Sequence, residues 1–121
     1  MINFIIPGEL CDLNHFIAAN NANRYKAALI KKAETYRVAS EIRAAKVPKI
    51  TSPMVEMICT WYTKDKKKDA DNICGFGLKV ILDGMVMAKI LPNDTRAYTG
   101  SFVHHFETDR LRPRVEIEIS V

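Results

Sequence analysis

Hydrophobic and polar positions change period several times along this chain, and each change predicts an element. Ile2 to Ile6 is an apolar run stopped by Pro7-Gly8, the pattern of a short strand. Residues 9–20 show no sustained period and read as irregular, with room for one short helical turn. From Asn21 to Ala45 the period becomes helical, with Asn21 or Asn23 able to cap the start. Tyr25, Leu29, Ala33, Tyr36 and Ala39 recur at helical spacing and are expected to form the buried stripe. Val47-Pro48-Lys49 ends that segment.

The second half begins with strict alternation. Val55, Met57, Cys59 and Trp61 alternate with Met54, Glu56, Ile58 and Tyr62, as in a central strand. Asn72 is a plausible cap for a helix over residues 73–89, with Ile73, Phe76, Gly77, Val80, Ile81 and Gly84 inward. Pro92 closes the connection that carries Asp94. Residues 98–107 and 114–121 read as an antiparallel pair joined by a charged turn. In the latter, Val115, Ile117, Ile119 and Val121 alternate with Glu116, Glu118 and Ser120. The predicted order is β-α-β-α-β-β: one α/β (α+β) domain over residues 1–121, with two main helices on one face of a small mixed sheet.

Composition narrows the class without naming a function. Hydrophobic residues make up 48% and charged residues 26%, ordinary values for a globular domain. A net charge of +4 favours an anionic partner. Residues 20–49 hold eight Lys or Arg and two Glu, so the first helix offers either a solvated face or a phosphate-contacting one. Cys11, Cys59 and Cys74 have no CxxC spacing, which argues against a disulfide framework or zinc site. The apolar runs are too short to span a membrane and no signal-peptide pattern opens the chain, so a cytoplasmic place is expected.

The chemistry concentrates at Lys66-Lys67-Lys68-Asp69-Ala70-Asp71-Asn72, with a further acid at Asp94. On an extended strand, residues i and i+2 share a face, so Asp69 and Asp71 would aim at one point. Two like charges held so close repel unless a cation lies between them. Mg²⁺ takes such oxygen ligands, usually with waters and phosphate oxygens, and the lysines would hold a polyanion above it. The competing reading is an acidic first turn that complements the helix dipole, with Pro92-Asn93-Asp94 a plain turn.

These residues resemble the RusA-type crossover junction endodeoxyribonucleases, or Holliday junction resolvases. The basic run, the Asp69-Ala70-Asp71-Asn72 motif, Ile81-Leu82-Asp83-Gly84, Pro92-Asn93-Asp94 and Asn23-Arg24-Tyr25 carry the likeness over most of the chain. The resemblance implies a homodimer that cuts four-way DNA junctions with Mg²⁺, or Mn²⁺ as a substitute, in recombination, repair or phage DNA processing. It implies Asp69, Asp71 and Asp94 as metal-binding catalytic residues. Arg24, Lys31, Lys32, Lys66, Lys67, Lys68 and Arg96 are the DNA-contact candidates. Two departures stand out. Gly75 occupies the place of the family's functional lysine, and Lys79, the candidate for its role, lies roughly 12 Å along the helix from Asp71. The spacing to Asp94 is also stretched, and Asn93 stands where an acid is often found.

Other groups carry less. Asp83 reads as an exposed helix acid, with support of Asp94 as its alternative role, His104 and His105 point to opposite faces of a strand, and His15 and Cys11 are too isolated for zinc. Gly75 and Gly77 lack the third glycine of a dinucleotide fingerprint. The alternatives to junction cleavage are a non-catalytic DNA-binding or regulatory module, and a metal nuclease acting on RNA or unbranched DNA.

Overall fold

The computed structural model describes residues 1–120 as one mixed α+β unit. The order is β1 (Ile2–Pro7), α1 (Leu13–Ala22), α2 (Arg24–Ala44), β2 (Val55–Thr63), α3 (Ala70–Met87), β3 (Thr99–Thr108) and β4 (Arg114–Ser120). The sheet runs β1-β4-β2-β3, with β2 antiparallel to β4 and parallel to β3. Among the described residues no helix is long and apolar enough to cross a membrane.

Three elements differ from the sequence reading, each for a physical reason. The expected irregular stretch holds α1, whose N-cap Asp12 accepts a hydrogen bond from the His15 N–H at 2.7 Å. The order is therefore β-α-α-β-α-β-β. Next, β3 and β4 are not partners, because β2 lies between them. A parallel β2-α3-β3 unit puts β3 on one side of β2, leaving the other side for β4. The 109–113 connection then passes the end of β2, where the Asp109 N–H donates to the Thr63 carbonyl at 2.8 Å.

The third difference is the buried side of α2. Tyr25, Leu29 and Tyr36 are 69%, 67% and 51% exposed, and Ala33 is exposed as well. Only Ala39 of the expected stripe is buried, together with Ala27, Thr35, Val38 and Ile42. Close packing selected small and β-branched side chains on this side: a Cβ added to Gly84 of α3 would overlap the Val38 side chain. The α3 stripe is as expected, with Phe76, Gly77, Val80, Ile81 and Gly84 buried and Ile73 half-buried. Both long helices end on a left-handed lysine, Lys46 at φ 53° and Lys89 at φ 64°, so no glycine marks either stop.

The sheet's two faces differ in chemistry. Phe4, Ile6, Met57, Cys59, Trp61, Val115, Ile117 and Ile119 build the core beneath the helices. The outer face carries Glu56, Glu116 and Glu118, with Glu107 paired in register to Tyr62. Its Arg114 is taken up by Asp109 and Glu116, both at 2.7 Å. A polyanion is repelled by this face and meets the cations on the helical side or the connecting loops.

Candidate active site

The Asp69–Asp71 motif sits where the chain leaves β2 and enters α3. The 64–68 segment turns on Asp65, whose carboxylate accepts from the Lys67 N–H at 3.0 Å. The helix opens three residues earlier than expected, so Asp69, not Asn72, is its N-cap. Asp69 has extended backbone at φ −72° and ψ 156°, yet its carboxylate makes no capping hydrogen bond. Asp71 lies in the first helical turn, so the shared face of a strand does not apply to this pair. Both are exposed, and neither makes a side-chain hydrogen bond or ion pair among the described residues.

Asn72 caps a different helix. Its Oδ1 accepts from the Asn14 N–H at 2.8 Å, at the start of α1. Beside it, Lys68 Nζ lies 3.0 Å from Asp12 Oδ2 and 3.4 Å from Glu9 Oε1. Burial alone would lower the Lys68 pKa, but its bond to Asp12 and the Glu9 charge raise it overall. Lys68 thus ties the segment before α1 to the carboxylate turn, and its ammonium already has carboxylate partners. Arg37 reinforces the same segment through Glu34 and the Glu9 carbonyl, each at 3.2 Å. Asp12 is the signal that the sequence offered for this arrangement, an acid one residue ahead of the apolar positions Leu13, Phe16 and Ile17.

Lys66 and Lys67 are exposed and unpaired among the described residues, unlike Lys68. With DNA as the expected partner, Lys66→Ala and Lys67→Ala should each reduce the salt dependence of binding by about one unit of slope. Lys68→Ala should leave that slope unchanged and cost about 1 kcal/mol of stability, since its ion pairs are partly exposed. Anisotropy titrations over a salt series, with urea unfolding of each variant, separate the two roles. A drop in slope for Lys68→Ala would return it to the phosphate-contact class.

Asp94 belongs to another cluster. Lys79 Nζ lies 3.1 Å from Asp94 Oδ2 and 3.1 Å from Asp83 Oδ1, while Lys31 approaches Asp83 at 3.8 Å. The Lys79 hydrogen bond holds the Asp94 carboxyl below its ordinary value, and Asp83 and then Asp94 raise Lys79. Asn93 accepts from the Thr95 N–H at 3.0 Å, making the turn that presents Asp94. These groups line a cleft of about 630 Å³ between α2 and the second half of α3, with Lys31 and Lys32 on its other wall. Asp83 is thus part of Asp94's surroundings and not an isolated surface acid.

The three acids do not converge within one chain. Lys79 and Asp83 lie about 12 and 18 Å along the α3 axis from Asp71, whereas Mg²⁺–oxygen bonds are about 2 Å. Among the described residues no three Asp, Glu, His or Cys side chains are grouped to hold a metal. A site that uses all three acids would therefore need Asp94 from outside the chain that supplies Asp69 and Asp71. Asp69 and Asp71, with free oxygens at an exposed turn, still suit a hard cation that takes one or two carboxylates and keeps its waters. They fit as two ligands of an incomplete set. Comparison with known proteins adds no identity. No family model matches the chain, and no curated protein matches it.

The remaining candidates are dispersed or structural. Arg24 opens α2 with its guanidinium 5.3 Å from the Tyr25 ring centroid, Lys32 is exposed on α2, and Arg96 lies on the exposed loop before β3. Trp61 Nε1–H donates to His104 Nδ1 at 3.0 Å, and burial lowers the His104 pKa. Cys11 and Cys59 are free thiols pushed up by burial to about 11 and about 12, far from the thiolate form a metal ligand requires.

Proposed function

We propose that this chain is a divalent-metal-dependent endonuclease that acts on four-way DNA junctions as a homodimer, in the cytoplasm. One observation carries the reading. Among the described residues the Asp69–Asp71 pair is exposed and lacks any protein donor, even though Asp69 occupies a cap position, and it stands beside the unpaired cations Lys66 and Lys67. Carboxylates serving only as caps would be spent on backbone N–H groups. The resemblance to RusA-type resolvases supports the same conclusion.

Asp69 and Asp71 would hold Mg²⁺ or Mn²⁺, with Asp94 supplied by a second copy of the chain. An ion held there would supply Lewis-acid polarisation of the scissile phosphate and a more acidic water. Lys66 and Lys67 hold the phosphodiester backbone, and Arg96 adds a contact beyond Asp94. Lys79 keeps Asp94 ionised and lies close enough to it to offset negative charge on the phosphate in the transition state. A two-fold dimer provides two such centres, as resolution by paired nicks on strands of like polarity requires.

A second reading, a DNA-binding module without catalysis, draws on the Lys79–Asp94 ion pair and the lack of a three-acid group among the described residues. The deciding experiment offers a synthetic four-way junction, a matched linear duplex, a single strand and an RNA hairpin, with Mg²⁺ and with chelator. Symmetric nicks in the junction, abolished by chelator and by Asp71→Asn with binding retained, are the expected result. Junction binding without cutting in either metal would install the binding-module reading. Preferential cutting of RNA or linear DNA would move the substrate class.

A further inference from the structure

We infer that the outward face of α2 is a stacking surface for unpaired DNA bases, an assignment that rests on the DNA reading above and deepens it. Tyr25, Leu29, Lys32 and Tyr36 fall within about 60° of one another at 100° per residue, on a single stripe. Their apolar members are among the most exposed in the molecule, against a helix whose other side is fully packed. From Tyr25 to Tyr36 the stripe runs about 16 Å, the length of four or five stacked nucleotides at about 3.4 Å each.

Charge decides the occupant. Arg24, Lys26 and Lys32 border the two tyrosines, and the helix's only acids, Glu34 and Glu41, lie about 150–170° from the centre of the stripe. Glu34 is moreover paired with Arg37 at 3.2 Å. An exposed aromatic strip bordered on its own helix by cations complements an anionic polymer that presents flat apolar faces; the nearest acids off the helix, Asp83 and Asp94, lie across the α2–α3 cleft from Lys32 and are held by Lys79. A second copy seated on the strip would set this cationic rim against itself, since a two-fold interface uses the same patch twice. A paired duplex offers its phosphates but keeps its base faces covered, so tyrosine rings there have nothing to stack on. Arg24 fixes the orientation of Tyr25, with its guanidinium over the ring and its Nη2 3.5 Å from the hydroxyl.

The test compares Tyr25→Ala/Tyr36→Ala with Tyr25→Phe/Tyr36→Phe on three labelled probes: oligo(dT), a duplex of equal length and a four-way junction. The alanine pair should bind oligo(dT) about ten-fold or more weaker, and the phenylalanine pair within about two-fold of the parent. Duplex binding and the salt slope should stay unchanged, because no charge is removed. Both positions are exposed, so urea midpoints should match the parent. Equal losses on duplex and oligo(dT), or no loss on either, would overturn the assignment. So would a fall in sedimentation mass, which would put a second copy on this face. A parent chain that binds oligo(dT) but never cuts a junction sinks the nuclease reading alone. A parent that cuts junctions while the alanine pair binds as it does sinks this surface alone. A parent that binds no DNA overturns both.

Discussion

Mixed dimers of Asp71→Asn and Asp94→Asn chains are expected to regain junction cutting that neither variant shows alone. Each single variant should lose about 100-fold or more in rate, since a ligated metal contributes several kcal/mol to the transition state. The recovery follows from the length of α3. Its 18 residues put Asp71 at one end, while Asp94 is bonded to Lys79 well along the helix. On the proposed reading, a complete ligand set would take Asp69 and Asp71 from one chain and Asp94 from the other. In an equal mixture about half the dimers are mixed, and each has one site with all three acids intact. About a quarter of all sites should therefore work, giving single nicks where the parent gives paired ones. Junction cleavage after co-refolding, read on a denaturing gel, measures this. No recovery, with both variants dimeric and junction-binding, would rule out assembly of the site from two chains.

Gly84→Ala and Gly75→Ala are the same substitution in the same helix, yet their effects on stability should have opposite signs. At Gly84 an added Cβ would lie 2.6 Å from Val38 Cβ and 3.2 Å from the Ala39 backbone nitrogen. Neither atom can yield without parting α2 from α3, and Val38 is fully buried. Alanine gains about 1 kcal/mol in helix propensity over glycine, but overpacking costs about 1–3 kcal/mol or more. The balance should be a clear loss, and Gly84→Val should barely fold. At Gly75 the new methyl would meet only the Leu13 side chain, 3.0 Å from its Cδ2, a rotatable end that can give way. The propensity gain should then dominate, at up to about 1 kcal/mol. Urea unfolding of both variants decides the matter. Equal midpoints would mean that the α2–α3 contact is looser than the geometry implies.

Local pattern made much of this molecule readable. Alternation marked β2 and β4, and the inward stripe of α3 emerged from spacing alone because Phe76, Val80, Ile81 and Met85 are all buried. The α2 stripe misled for the reverse reason. Its largest apolar residues, Tyr25, Leu29 and Tyr36, face outward, while alanine, threonine and valine meet α3. Helical spacing marks a face but not which face is buried, and the close approach at Gly84 selects small and β-branched residues for the buried one. The β3–β4 hairpin failed because strand partnership is set by what lies across the sheet, which a short charged connection does not reveal.

The same division runs through the candidate site. Residue order alone placed Asp69 and Asp71 beside a basic run and a helix start, because caps, turns and helix openings are written in a few consecutive side chains. Only the packed chain decided which charges remain available. Lys68 is committed to Asp12 and Glu9, Lys79 to Asp83 and Asp94, and Asn72 to the start of α1, while Lys66, Lys67, Asp69 and Asp71 stay without protein partners among the described residues. Ion pairing depends on distance in space, and the partners of Lys68 lie more than fifty residues away along the chain.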